Sequence, residues 1–170
     1  MPKYILGFNN HFRYGNFELD FTLYSELGKK IYNGNAVTFT ESGEGFAMAS
    51  QYYFDHRYNP DTNPDGIYAM PNMNFSNNRK EARTSNIFYA NGDYMRLRSL
   101  KLSYNFPQSL VSALKIKAAQ VYFMGNNLLT ISSYRGQNLD ATTENQLTQG
   151  YDFAYYPVAR IYSFGMNLKF

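Results

Sequence analysis

The stretch Tyr162–Phe170, "YSFGMNLKF", decides the fold because its side chains alternate strictly between two kinds. Small or polar residues separate large apolar ones, which occupy every second position: Tyr162, Phe164, Met166, Leu168 and Phe170. Successive side chains of a β-strand point to opposite faces, so a period of two predicts a strand with one apolar and one polar face. We therefore expect Phe170 to belong to a strand and not to a polar tail.

The same period recurs upstream and predicts an all-β fold, an antiparallel meander of about five long strands. The expected strands cover residues 4–14, 17–27, 94–106, 117–131 and 159–170. Gly15-Asn16 is a two-residue hairpin signal, since both residue types tolerate positive φ. The phase of the third strand changes between Arg98 and Leu100, which predicts a β-bulge there.

The connections alternate between short and long, with long loops expected at residues 28–92 and 133–158. In an antiparallel meander this places both long loops at one end, as in outer-membrane barrels with short periplasmic turns and long extracellular loops. Charged residues fall almost entirely on one face of the predicted strands: Arg13, Glu18, Asp20, Glu26, Lys101 and Lys169. The uncharged face favours contact with lipid, although the inner face of a soluble β-sandwich is apolar as well.

Composition and motifs exclude several function classes. The 170 residues predict one domain, and with no cysteine, a net charge of +3 and scattered Lys and Arg they indicate neither a disulfide framework nor a nucleic-acid surface. No apolar run is long enough for a membrane helix, and no signal peptide precedes Tyr4, so we expect any export signal to lie upstream.

No catalytic or metal-binding constellation stands out. "DTNPDG", Asp61–Gly66, copies the first half of a calcium loop, but Asn72 stands where the bidentate acid belongs, which favours a surface turn. His11 and His56 are the only histidines and have no recurring acidic partner. We therefore predict that the protein is not an enzyme and binds no metal or cofactor.

Aromatic stretches in the long loops are the candidate substrate contacts, because Tyr and Phe rings stack on sugars and peptides. The alternative is an interfacial aromatic girdle, or packing of the loops against themselves. The candidates are Tyr52, Tyr53, Phe54, Tyr58, Tyr89, Tyr151, Phe153 and Tyr155.

Several stretches resemble one known family. "YYPVARIYSFGMNLKF" (residues 155–170), "ANGDYMRLRSLKLSYNFP" (90–107) and "VYFMGNNLLTISSYRGQNLD" (121–140) look like consecutive barrel segments of SusC/RagA-type TonB-dependent transporters. The run His56–Pro60 and the pair Leu139-Asp140, which lacks a following proline, depart from the family pattern. Both departures lie in predicted loops, where variation should mostly affect substrate contacts.

The resemblance implies the C-terminal part of a barrel of about 22 strands in the outer membrane of Bacteroidetes. It also implies import of glycan or peptide fragments with a SusD-like surface lipoprotein, driven by the TonB complex through parts outside this sequence. Ser163, Gly165, Leu168 and Phe170 resemble the signal that the barrel-assembly machinery reads. Two alternatives stay open: a small self-standing β-sandwich that binds carbohydrate, and an outer-membrane barrel built from several copies.

Overall fold

The computed structural model describes residues 1–40, 49–70, 85–113, 115–140, 150–153 and 155–170. None of the helices in these ranges is long and apolar enough to cross a membrane. In chain order the elements are β1 Tyr4–Tyr14, β2 Phe17–Leu27, β3 Lys30–Asn33, α1 Gly34–Thr40, α2 Gln51–His56, a 3-10 helix Asn86–Phe88, β4 Tyr89–Asn91, β5 Tyr94–Asn105, α3 Gln108–Ala113, β6 Ala118–Ser132, β7 Tyr151–Asp152 and β8 Ile161–Lys169.

The elements form two compact units. The sheet unit comprises Pro2–Gly28, Asp93–Ser133 and Val158–Phe170. The loop unit consists mainly of the two long connections, Lys29–Gly92 and Tyr134–Pro157.

The sheet unit is a five-stranded sheet in the order β1-β2-β5-β6-β8, and every neighbouring pair is antiparallel. Within this sheet each strand pairs with the strand that precedes it in the chain, so the predicted antiparallel meander is confirmed. The β1–β2 turn and the β5–β6 connection lie at one end of the sheet, and the two long connections leave from the other.

The β1–β2 turn is as short as a hairpin permits, because Tyr14 pairs with Phe17 across Gly15 and Asn16. Gly15 has a φ of +56°, in the left-handed region that glycine occupies without steric cost. Asn16 has no positive φ, so the turn uses this region only at its first central position.

One face of the five-stranded sheet is apolar from edge to edge. Cross-strand pairing aligns its side chains in rows, one of which is Phe12, Leu19, Leu102, Phe123 and Phe164. No Asp, Glu, Lys or Arg of the paired strands falls on this face. Much of the row stays open to the surroundings, since Phe12 and Phe164 are both more than half exposed. An apolar surface of this extent does not suit contact with water.

The opposite face is polar, and a hydrogen bond and an ion pair link its neighbouring strands β1 and β2. His11 Nδ1 lies 2.6 Å from Asp20 Oδ1, and Arg13 Nε lies 3.7 Å from Glu18 Oε1. At the short-turn end an amide ladder crosses three strands. Gln120 donates to Asn105 at 2.9 Å and accepts from Asn167 at 3.0 Å.

The loop unit holds a second, three-stranded sheet in the order β4-β3-β7, where β3 pairs antiparallel with β4 and parallel with β7. Its apolar core contains Tyr32, Val37 and Phe88. The sequence patterns predicted these regions only as loops, whereas the structure forms β3, β4, β7, α1 and α2 there.

Candidate functional site

The aromatic side chains of the loop unit make up the candidate site, and α2 positions the first group. Ser50 caps this helix by accepting a hydrogen bond from the Tyr53 backbone N–H at 3.2 Å. The helix exposes Tyr52 and Phe54 and turns Tyr53 into the interior, where its hydroxyl donates to Ala69 O at 2.8 Å. Of these three predicted contacts, only Tyr52 and Phe54 are accessible in this structure.

Tyr68 joins these rings to the core of the loop unit. Its ring centroid lies 6.2 Å from Tyr52, 5.9 Å from Tyr53 and 6.5 Å from Phe88. Burial, and secondarily the nearby Tyr52 hydroxyl, raise the pKa of Tyr68 above its ordinary value. The phenol therefore remains neutral through the physiological range.

A second aromatic group follows directly from strand pairing. Tyr32 on β3 stands opposite Tyr89 on β4 and beside Tyr151 on β7, which places three rings in a row. The ring centroids are 5.2 Å apart for Tyr32 and Tyr89 and 4.6 Å apart for Tyr32 and Tyr151. Phe153 extends the row, because its ring lies parallel to that of Tyr151 at 5.3 Å.

This aromatic row, Tyr89–Tyr32–Tyr151–Phe153, is buried in the middle and exposed to solvent at its two ends. Tyr32 is buried, whereas the rings of Tyr89 and Phe153 are about half exposed, at 54% and 50%. The remaining candidates, Tyr58 and Tyr155, are exposed and lie outside both groups of ring contacts. Most of the predicted aromatics therefore pack against one another while several of them keep accessible ring faces.

Two arginines border the first group. The Arg57 guanidinium carbon lies 4.6 Å from the Phe54 ring centroid, and that of Arg135 lies 5.9 Å from the Tyr52 centroid. These are cation–π distances, so positive charge accompanies the exposed rings.

Asp152, the last residue of β7, holds the start of the second long connection through hydrogen bonds. Its carboxylate is fully buried, and Oδ2 accepts from the Tyr134 hydroxyl at 2.7 Å and from the backbone N–H groups of Gln137 and Asn138 at 3.2 and 3.3 Å. Burial is the main cause that raises the pKa of Tyr134 far above its ordinary value, and the Asp152 carboxylate adds to it. Tyr134 is therefore a permanent hydrogen-bond donor to Asp152.

The segment Asp61–Gly66 forms a turn held by its neighbours. Asn59 Oδ1 accepts from the backbone N–H of Asp61 at 2.9 Å, and the Asn63 amide donates to Arg57 O at 2.9 Å. Among the described residues no group of three or more His, Asp or Glu side chains could hold a metal ion.

The residues of the predicted assembly signal lie on β8, except Phe170, which follows its last residue. Phe170 is three-quarters exposed, and its backbone oxygen accepts from Lys117 Nζ at 3.0 Å. Gly165 stands opposite Tyr122 on β6, and a Cβ at this glycine would lie 2.3 Å from the end of the Tyr122 ring. Gly165 therefore makes room for a neighbouring side chain.

Sequence reasoning missed Tyr32, Tyr68, Tyr134 and Asp152, although they connect the predicted residues. Tyr32 and Tyr68 are not among the aromatic candidates chosen from the long loops, and the contacts of Asp152 join segments that only tertiary structure brings together. The available signal was the Tyr134-x-Gly136 pattern within the stretch that resembles the transporter family.

Relatives of this chain are found among receptors of known type. No protein-family model matches the chain. TonB-dependent receptor P3 of Formosa agariphila is 30% identical over 175 residues, which cover 99% of this chain and 16% of the receptor. TonB-dependent receptor P26 of the same organism is 26% identical over 184 residues, covering 100% of this chain and 17% of the receptor.

Solved structures agree with these relatives. The RagAB peptide importer in its open-open state superposes with a TM-score of 0.76 at 25% identity and covers 100% of this chain and 17% of the importer chain. Its closed-closed state gives a TM-score of 0.77 at 24% identity, covering 99% and 17%, which is a likeness of fold. Similarity over the whole chain to TonB-dependent receptors, together with the fold of the RagAB importer, supports a segment of a SusC/RagA-type receptor.

The TonB-dependent receptors matched here are about six times longer than this chain, which spans 16 to 17% of their length. The matches run over its whole length, so they support the expectation that it is a C-terminal segment of such a receptor. Receptors of this family are proteins of the bacterial outer membrane, and this TonB-dependent receptor segment belongs there as well.

Proposed function

We propose that this receptor segment forms part of the wall and two extracellular connections of an outer-membrane β-barrel that imports glycan or peptide fragments. The observation that carries the proposal is the uncharged face that runs across all strands of the five-stranded sheet. Its polar opposite face suits the water-filled interior of a barrel, and its apolar face suits lipid.

The edges of the sheet fit the same role. β1 and β8 each pair with only one strand of the five-stranded sheet, so within the described residues each has an unpaired edge. Unpaired edges promote aggregation unless they are covered, and closure into a barrel with further strands of the receptor would cover both.

The loop unit would meet the nutrient. The exposed ring faces of Tyr52, Phe54, Tyr89 and Phe153 are the best placed contacts, with Tyr58 and Tyr155 as further exposed candidates. Tyr53 would act by supporting its neighbours, since its ring is buried. The segment would bind and guide its cargo without altering it chemically, so no catalytic residue is assigned.

The proposed partners act at different places. A SusD-like lipoprotein would cover the extracellular connections, and the TonB complex would act through parts of the receptor outside this segment. The barrel-assembly machinery would read β8 and Phe170. The structural similarity to the RagAB peptide importer supports a role in import. Similarity to a TonB-dependent receptor over the whole of this chain favours the transporter over a self-standing carbohydrate-binding sandwich.

A pair of lysine substitutions in the full-length receptor tests the lipid-facing assignment. Phe8 and Asn9 are adjacent on β1, both are exposed, and they lie on opposite faces. Phe8→Lys should lower the amount of assembled receptor in the outer membrane, because a lysine facing lipid costs up to about 2–4 kcal/mol. Asn9→Lys should assemble normally. Equal amounts of the two variants in isolated outer membranes would contradict the proposal.

A further inference from the structure

The polar face of the five-stranded sheet contains a recess that no role described above uses. It has a volume of about 510 Å³ and is lined by Thr22, Arg98, Ser99, Asn126, Asn127 and Ile161. This volume is within the range of small-molecule sites, roughly 300–1,000 Å³.

Irregular strand pairing surrounds the recess. The β2–β5 register shifts between Thr22 and Leu23, and the β5–β6 register shifts between Leu97 and Ser99. On β6 this shift leaves Asn127 and Leu128 opposite Arg98, and Asn127 has a φ of +54°, a left-handed conformation uncommon for residues other than glycine. Bulges re-aim side chains, and here they coincide at one level of three adjacent strands.

The bulge brings Arg98 to the polar face beside Ser99. Its guanidinium carbon lies 5.2 Å from the ring centroid of Tyr24, which pairs with Arg96 on that same face. Stacking on Tyr24 fixes the guanidinium while leaving its N–H groups available. In the part of the chain that the structure describes, no carboxylate forms an ion pair with Arg98.

Neighbouring polar side chains in the recess also have hydrogen-bonding groups available for a ligand. The side chains of Thr22, Ser99 and Asn126 make no hydrogen bond within the described ranges. Asn127 donates to Ala159 O at 3.2 Å and so holds the edge of the recess. A positive, forked donor next to hydroxyl and amide donors, with no acid lining the recess, matches an oxyanion.

We propose that this recess binds a carboxylate group of a solute, through Arg98 together with Thr22, Ser99 and Asn126. The inference rests on the proposed function, since it assumes that the polar face lines the import path. Within that path the recess would favour acidic cargo over neutral cargo of the same size.

Equilibrium binding to the purified full-length receptor in detergent tests the proposal. Each of two probe pairs has a carboxylate-bearing and an uncharged member: trigalacturonate and its trimethyl ester, and the N-acetylated, C-amidated peptides Ala-Glu-Ala and Ala-Gln-Ala. The wild type should bind the charged member of at least one pair more tightly. Arg98→Gln should reduce that preference about tenfold, as expected for the loss of a charge-assisted hydrogen-bonded contact. Added salt should weaken the preference.

Two further variants complete the test. Arg13→Gln removes another exposed arginine of the same face outside the recess and should leave the preference unchanged. Asn126→Asp keeps Arg98 but adds a negative charge to the recess, and it should reduce binding of the charged probes even if Arg98→Gln assembles poorly. No preference in the wild type, or an equal loss in Arg13→Gln, would overturn the inference.

Uptake of a labelled mixture of oligosaccharides and peptides, compared between cells with and without the full-length receptor, separates the two proposals. Failure of the wild-type receptor to support any uptake would contradict the import function itself. Normal uptake combined with no charge preference would contradict only the oxyanion site.

Discussion

Asp152 links several parts of the loop unit, because a single carboxylate oxygen serves three donors. Oδ2 accepts from Tyr134, Gln137 and Asn138, while Oδ1 is buried without a hydrogen-bond partner among the described residues. Burying a carboxylate charge lowers stability, whereas its hydrogen bonds raise stability. The two effects on the free energy of unfolding can therefore be separated by substitution.

Two substitutions at Asp152 separate these contributions. Asp152→Ala leaves three donors without an acceptor and should destabilise the loop unit by at least about 2 kcal/mol. Asp152→Asn keeps one acceptor oxygen and removes the charge, so its cost should be clearly smaller. Hydrogen exchange of residues 134–138 in the full-length receptor measures both. Equal exchange rates in the two variants would show that the charge itself is required.

Tyr134 gives this cluster a pH dependence of known sign. Its pKa is raised in the folded state by burial and by Asp152, whereas an unfolded tyrosine titrates near about pH 10. Its stabilising contribution is therefore fully present below about pH 10 and is lost as the pH rises further, when only the unfolded state releases the proton.

Tyr134→Phe tests this dependence. The variant lacks the titrating hydroxyl, so its melting temperature should fall less steeply than that of the wild type as the pH rises above about 10. Tyr156→Phe, at a tyrosine that is 94% exposed, is the control and should follow the wild type. Parallel curves for wild type and Tyr134→Phe would refute the assignment.

At the scale of elements, the long strands were predictable and the short ones were not. β1 and β2 extend over the residues that alternation indicated, because their side chains alternate between the apolar and the polar face of the sheet. The bulge expected between Arg98 and Leu100 appears as the register shift between Leu97 and Ser99. β7 contains only two residues and pairs in parallel with the distant β3, and no local pattern encodes such a pairing.

Among the functional residues too, those marked by local sequence were predictable and those that depend on distant strand pairing were not. The aromatic candidates were visible as composition, but the row through Tyr32 requires the pairing of β3 with both β4 and β7. The recess around Arg98 requires bulges on several strands at one level, of which the sequence indicated one.

Gly165 on β8 has two possible roles, and one experiment can distinguish them. Gly165 fits the predicted assembly signal, and it also makes room for the Tyr122 ring. Gly165→Ala should lower the outer-membrane level of the full-length receptor. If local packing is the cause, adding Tyr122→Ala should restore that level, whereas a requirement of the assembly machinery for glycine would persist.

Phe170→Ala isolates the assembly signal from packing, because Phe170 is largely exposed and follows β8. We expect fewer receptors in the outer membrane and unchanged nutrient affinity of those that assemble. Leu110→Ala, at an exposed leucine of α3, is a matched control that should not change the amount. Normal amounts of Phe170→Ala receptor would exclude a role for this residue in assembly.

For the whole molecule, the two faces and two edges of the five-stranded sheet predict how this chain behaves by itself. The apolar face includes Phe8, Phe12 and Phe164, all more than half exposed, and β1 and β8 each leave an edge unpaired. Exposed apolar surface and open edges both promote association between chains.

Expression of the 170-residue chain alone, without detergent, should therefore give aggregates. Co-expression with the remaining strands of the receptor should recover membrane-inserted protein, because barrel closure covers both edges and lipid covers the apolar face. Size-exclusion chromatography and the mobility of unheated samples on gels report the two states. A soluble monomer that melts cooperatively would contradict the transporter assignment, because only a fold that buries this face within one chain could produce it.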